Sequence, residues 1–300
     1  MRGWQRMAFP LCKGHRTRLK VTFPMPPTAS RANRIDQTFA RLRADGQKGF
    51  IAYIASGDPD QPATVEIALA LEAAGVDVLE LGVPFSDPLA DGVVNQAASA
   101  RALAAGTTVR TVLEGVRTMR RRGLAIPVVL YTYLNPIYAY GFGRFLEESA
   151  AAGVDGVLVL DLPPDEATHN AELQGRPDNL RMIRLVAPNT PPDRLALIAA
   201  AAEGFVYFVS REGVTGERQT VAASIDERVR AIRAATPLPV VVGFGISTPE
   251  QAKEASGAVD AVVVGSAIVR RIGKLGSRPD LAARVAEFVR PMVEAVKKDS

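Results

Sequence analysis

The sequence predicts an α/β protein built as a (β/α)8 barrel, with one extra helix ahead of the first strand and a disordered basic leader before that helix. Eight short apolar runs alternate with helical patterns from residue 33 onward. Each is hydrophobic at consecutive positions, as strands buried on both faces are. Eight strands close such a barrel, and roughly 265 residues is an ordinary size for one. An open doubly wound sheet is the weaker alternative, because no Gly-x-Gly-x-x-Gly run follows the first strand and no Walker A run occurs.

In chain order, residues 35–44 read as a helix placed to plug the barrel floor, and residues 50–54 as the first strand. A helix over 62–74 carries Val65, Ile67, Leu69 and Leu71 among alanines and stops before Gly75, which suits the C′ position. The second strand is predicted at 76–81 and the third at 128–134. The gap between them is the longest in the chain and has room for an extra loop and helix; such insertions at the strand C-termini of a barrel are usually functional. Strands follow at 154–161, 182–187, 205–210, 239–244 and 261–265. Helices over 192–202 and 249–255 both open on proline, near the N1 position where the missing N–H is harmless.

The net charge of +4 is a property of the leader. Arg2, Arg6, Lys13, Arg16, Arg18, Lys20, Arg31 and Arg34 precede the first acid, Asp36, and without these eight cations the rest of the chain carries −4. A basic nucleic-acid surface on the body is therefore not expected. Residues 1–32 hold Pro10, Pro24, Pro26 and Pro27 and no helical period, so they are expected to form a disordered leader to a single catalytic domain, 33–300. Three readings of the leader stay open: an organellar transit peptide, a binder of an acidic partner, or a segment upstream of an internal start at Met25, the last being preferred. Cys12 is the only cysteine, which fits a reducing, cytoplasmic setting and leaves no thiolate metal site within the chain. With His15 and His169 the only histidines, neither a Ser-His-Asp arrangement nor a histidine metal site is expected. No apolar run approaches the roughly 18 residues of a membrane helix.

The most informative stretch is 79–92, Leu-Glu-Leu-Gly-Val-Pro-Phe-Ser-Asp-Pro-Leu-Ala-Asp-Gly. Glu80 stands among Val78, Leu79 and Leu81, inside a strand pattern, and strands rarely hide a carboxylate. Asp87-Pro88 and Asp91-Gly92 follow in turn chemistry, placing two more acids at the strand's C-terminal mouth. Residue by residue, a buried Glu–Arg pair and two turn caps would explain the same pattern. Late in the chain, glycines gather at three strand ends: Gly213-Val214-Thr215-Gly216, Gly243-Phe244-Gly245-Ile246-Ser247 and Gly265-Ser266-Ala267-Ile268-Val269. Glycine lets backbone N–H groups approach an anion, and Gly265-Ser266 opens a helical segment whose positive dipole end adds to them. Phosphate sites of barrels recur after strands seven and eight.

The 79–92 run strongly resembles the signature of the tryptophan synthase α subunits, and the three glycine runs are similar to that family's phosphate loops. Asp58-Pro59, Tyr133 with Asn135-Pro136, and Asp161-Leu162-Pro163 match as well, so the resemblance covers all but the leader. One departure is Val93, where the family commonly has proline. The resemblance implies a retro-aldol cleavage of indole-3-glycerol phosphate to indole and glyceraldehyde 3-phosphate on a TIM barrel. It implies Glu80 as general acid/base and Asp91 as the carboxylate that meets the indole N–H. Tyr53, Tyr133, Leu158, Tyr207 and Thr215 would bind substrate, and Gly216, Gly245, Gly265 and Ser266 its phosphate. Asp87 and Pro88 would touch a β subunit in an α2β2 complex. Neither metal nor organic cofactor is expected in this chain, pyridoxal phosphate belonging to the partner. Residues 211–220 read as a mobile lid. Two rival functions remain: a partner-activating binding subunit with little activity, and another phosphosugar enzyme on the same barrel.

Overall fold

The computed structural model describes residues 33–169, 173, 175–209, 218–243 and 245–297; the predicted leader and most of the predicted lid lie outside them. The strands are β1 (Gly49–Ala55), β2 (Val78–Gly82), β3 (Val128–Thr132), β4 (Gly156–Val159), β5 (Arg181–Val186), β6 (Val206–Val209), β7 (Val240–Gly243) and β8 (Ala261–Val264). Each pairs in parallel with the next and β8 returns to β1, closing a TIM barrel. Around it run α1 (Arg34–Ala44), α2 (Gln61–Ala73), α3 (Val93–Ala104), α4 (Val109–Arg121), α5 (Leu134–Tyr140), α6 (Phe142–Ala152), α7 (Pro164–His169), α8 (Pro192–Ala201), α9 (Arg218–Ala235), α10 (Pro249–Ser256), α11 (Ser266–Leu275) and α12 (Leu281–Lys297). Two helices, α3 and α4, fill the long gap between β2 and β3.

Strand alternation divides the apolar side chains into two nested cores. The outward residues, among them Phe50, Leu79, Leu130 and Phe208, pack beneath the helices. The inward residues, among them Ile51, Val78, Val129, Ile183 and Val241, fill the barrel with Ile35, Phe39 and Leu42 of α1. Helix α1 is thus the predicted floor plug. Burying each of those three side chains is worth about 1.5–3 kcal/mol. Asn33 fixes where the plug begins: its side-chain oxygen accepts from the N–H groups of Ile35 and Asp36, and its Nδ2 donates to the Asp155 carbonyl at 2.7 Å.

The barrel floor carries a device that the sequence reading lacks. An N–H at the start of every second strand is capped by an acid that precedes the next strand. Phe50 N donates to Asp77 Oδ2, Val128 N to Asp155 Oδ2, and Val240 N to Asp260 Oδ2, at 2.9, 2.9 and 2.8 Å. Met182 N donates to Glu203 Oε2 at 2.9 Å. This is why β2 and β4 start two residues later than predicted: Asp77 and Asp155 turn their carboxylates back to the preceding strand. Cations complete the caps, Arg120 and Arg34 holding Asp155 and Lys297 and Arg41 holding Asp77.

Candidate active site

At the opposite, C-terminal mouth, Glu80 points inward from β2, between Tyr53 of β1 and Val129 of β3 in register. Its side chain is 1% exposed, and Oε1 has no hydrogen-bond partner among the described residues. Among the described residues no arginine pairs with it, so the buried ion-pair reading falls away. Burial first, and the nearby Asp91 carboxylate second, push Glu80 up to about 8. Glu80 is therefore a neutral acid at pH 7, with Oε1 unpaired among the described residues.

Asp91 sits on the β2–α3 loop, half-buried, with its N–H bonded to the Pro88 carbonyl at 3.0 Å. Tyr133 donates its hydroxyl to Asp91 Oδ2 at 2.9 Å and accepts the Ala90 N–H at 3.0 Å, so one side chain positions both loop and carboxylate. Oδ1 receives Tyr131 and Asn95, each at 3.4 Å. Burial raises the carboxyl of Asp91, and the bonds from Tyr133, Asn95 and Tyr131 oppose that rise. The two acids therefore differ in kind: among the described residues Glu80 Oε1 has no donor, whereas the Asp91 carboxylate receives three.

Tyr53, Leu158 and Tyr207 line the barrel interior, all 8% exposed or less. Tyr53 and Tyr207 lean over the last residue of the neighbouring strand. A Cβ at Gly82 or Gly243 would stand 2.5 Å from the respective hydroxyl, so only glycine fits. Burial pushes both hydroxyls up, leaving them neutral. Tyr133 lies just past β3 rather than on it, as the N-cap residue of α5. The predicted strand end at 134 is corrected because the Leu134 N–H goes to Asp161 Oδ1 at 2.7 Å instead of to the sheet.

Gly265 is the N-cap residue of α11 and Ser266 its first residue; no side chain caps this terminus and its first turn holds no acid. Its N–H groups and dipole suit an anion. Gly245, after β7, is exposed and would meet nothing within 4 Å if it carried a Cβ. Thr215 and Gly216 lie outside the described residues, so their predicted roles rest on sequence. Asp87 is exposed and Pro88 partly so, on the outside of the β2–α3 loop. Asp58 (2% exposed) receives Arg101 of α3 through two bonds, 2.8 and 2.7 Å, which anchors the helix that follows Asp91.

Two site residues escaped the sequence reading, Tyr131 and Asn95. A signal for Tyr131 existed: strand alternation puts 129, 131 and 133 on one face. Asn95 follows Asp91 by four residues, one helical turn, which carries no distinctive sequence pattern.

The profile of the tryptophan synthase alpha chain family matches residues 39–297. The chain is 47% identical over 270 residues to the tryptophan synthase alpha chain of Geobacter sp. (strain M21), covering 89% of this chain and 99% of that protein. It is 46% identical to that of Opitutus terrae, with 89% and 100% covered. Among solved structures, tryptophan synthase subunit alpha from Legionella pneumophila str. Paris superposes with a TM-score of 0.80 at 37% identity, over 88% of this chain and 98% of that one. A chain of tryptophan synthase from M. tuberculosis gives 0.77 at 34%, over 89% and 100%. Matched across its barrel in sequence and in structure, this chain belongs to the tryptophan synthase alpha chain family.

Proposed function

We propose that the chain cleaves indole-3-glycerol phosphate to indole and glyceraldehyde 3-phosphate, with Glu80 and Asp91 dividing the chemistry. Glu80, neutral at pH 7, gives its proton to the indole ring carbon that carries the side chain. The Glu80 carboxylate so formed takes the proton of the adjacent side-chain hydroxyl as the C–C bond breaks and the aldehyde forms. One proton enters the ring, one leaves the hydroxyl, and Glu80 ends as it began. Positive charge that builds on the ring nitrogen meets anionic Asp91, which accepts the N–H. The indole ring itself takes up the electron pair, so the step as written uses no metal and no organic cofactor. The observation that carries this reading is the unpaired Oε1 of a fully buried, neutral glutamate beside a carboxylate rich in donors.

Tyr53, Tyr133, Leu158 and Tyr207 would enclose the ring, and Thr215, Gly216, Gly245, Gly265 and Ser266 would hold the phosphate end. Asp87 and Pro88 would contact a pyridoxal-phosphate β subunit in an α2β2 complex. Leu89 on the same loop and Val93 at the start of α3, 82% and 78% exposed, would add apolar contact area. Val93 occupies the first position of α3, where proline is favoured, so its departure from the family pattern falls on that outer surface. Among the described residues no helix is long and apolar enough to cross a membrane, and a cytoplasmic location is proposed. Purified chain given indole-3-glycerol phosphate, with and without a β subunit, tests the reading. Indole release is expected in both and stronger with the partner; its absence in both refutes the reading.

A further inference from the structure

Tyr131 belongs to no part of the reaction described so far, yet its hydroxyl reaches the Asp91 carboxylate from inside the barrel. It leaves β3 between Gly82 of β2 and Leu158 of β4 in register, half-buried. Its hydroxyl donates to Asp91 Oδ1 at 3.4 Å, while Tyr133 donates to Oδ2 from the loop side at 2.9 Å. Its ring meets Tyr53 edge-on, centroids 5.1 Å apart at 71°, which fixes the phenol without any polar contact.

We propose that Tyr131 is a positioning residue for the cleavage: its hydroxyl holds Asp91 Oδ1 from the barrel side, keeping the carboxylate ionised and turned towards the ring nitrogen. The inference rests on the assignment of Asp91 to that nitrogen. Loop contacts alone leave Asp91 exposed to the cost of its own burial, with Glu80 of β2, Tyr53 of β1, Tyr133 after β3 and Asn95 of α3 as the other polar groups facing it. Glu80 is neutral at pH 7 and supplies no positive charge, so hydroxyl and amide donors alone favour the anion. The Tyr131 hydroxyl cannot ionise in its place, because burial and the Asp91 charge push it well up.

Tyr131→Phe tests this by removing one oxygen and leaving the ring pair with Tyr53. A donor to a carboxylate favours its charged form, so losing the donor raises the Asp91 pKa. The acid limb of kcat/KM should move to higher pH while the alkaline limb, set by Glu80, stays in place. At pH 7 kcat should fall about tenfold with KM within about twofold, the pattern of an interaction made in the transition state. Thermal unfolding should stay within a few degrees of the parent, which separates positioning from folding. A kcat within twofold of the parent together with an unmoved acid limb overturns the proposal. An inactive parent would instead refute the lyase reading itself, a result the parent control shows on its own.

Discussion

Replacing Glu80 by Gln should destroy activity and, above pH 5, remove a pH-dependent cost to folding. The side chain is 1% exposed and its carboxyl is raised from 4.5 to about 8. Below pH 4.5 both folded and unfolded chains hold the proton and folding carries no penalty. As pH rises, the unfolded chain ionises first while the folded chain keeps the proton, so stability falls until pH reaches about 8 and then levels. At about 1.36 kcal/mol per pH unit, the penalty is roughly 3 kcal/mol at pH 7 and under about 1 kcal/mol at pH 5. The glutamine side chain of the variant has the same shape and no titration. The amide's own unpaired donors add a constant cost, which cancels when each protein is compared with itself across pH. Urea unfolding of both proteins from pH 5 to 8 therefore measures the effect, since the other carboxylates contribute equally to both. The stability difference should shift by about 2–3 kcal/mol in favour of the variant between pH 5 and pH 7. Parallel curves would refute the burial argument, and with it the reason that Glu80 holds a proton at working pH.

Asp91→Asn should lower kcat by about 10²–10³ with KM nearly unchanged, read as indole release, because the amide removes the charge that faces the ring nitrogen. Gly265→Ala would bring a Cβ to 3.3 Å from Tyr53 and crowd the start of α11, so KM for the phosphate substrate, read as indole release, should rise about tenfold. Asp155→Ala removes the carboxylate partner of Arg120 and the acceptor of the Val128 N–H at the floor; chemical denaturation should show a loss of about 3–5 kcal/mol, with kcat of the folded enzyme unchanged. Deleting residues 1–24 should leave melting temperature and activity as they are, because that segment lacks the apolar period needed to pack on a barrel.

The barrel was legible because strands buried on both faces leave uninterrupted apolar runs, and all eight appear in the structure. Their ends were less legible. Asp77 and Asp155 sit inside apolar runs, and only the folded chain reveals that their carboxylates cap a different strand. Glu80 was legible for the opposite reason, since a carboxylate among Val78, Leu79 and Leu81 conflicts with its surroundings. Tyr131 was not, because a tyrosine in a strand conflicts with nothing and its bond to Asp91 joins segments 40 residues apart. The pairing of Asp58 with Arg101 was hidden by a similar separation of 43 residues.

The role of Glu80 as proton donor depends on burial keeping it neutral at working pH. Carbon-13 NMR can titrate its own carboxyl carbon in the folded protein, with the signal assigned by its absence in Glu80→Gln. A midpoint near 8 is expected. A midpoint near 4.5, the ordinary value for glutamate, would contradict the assignment.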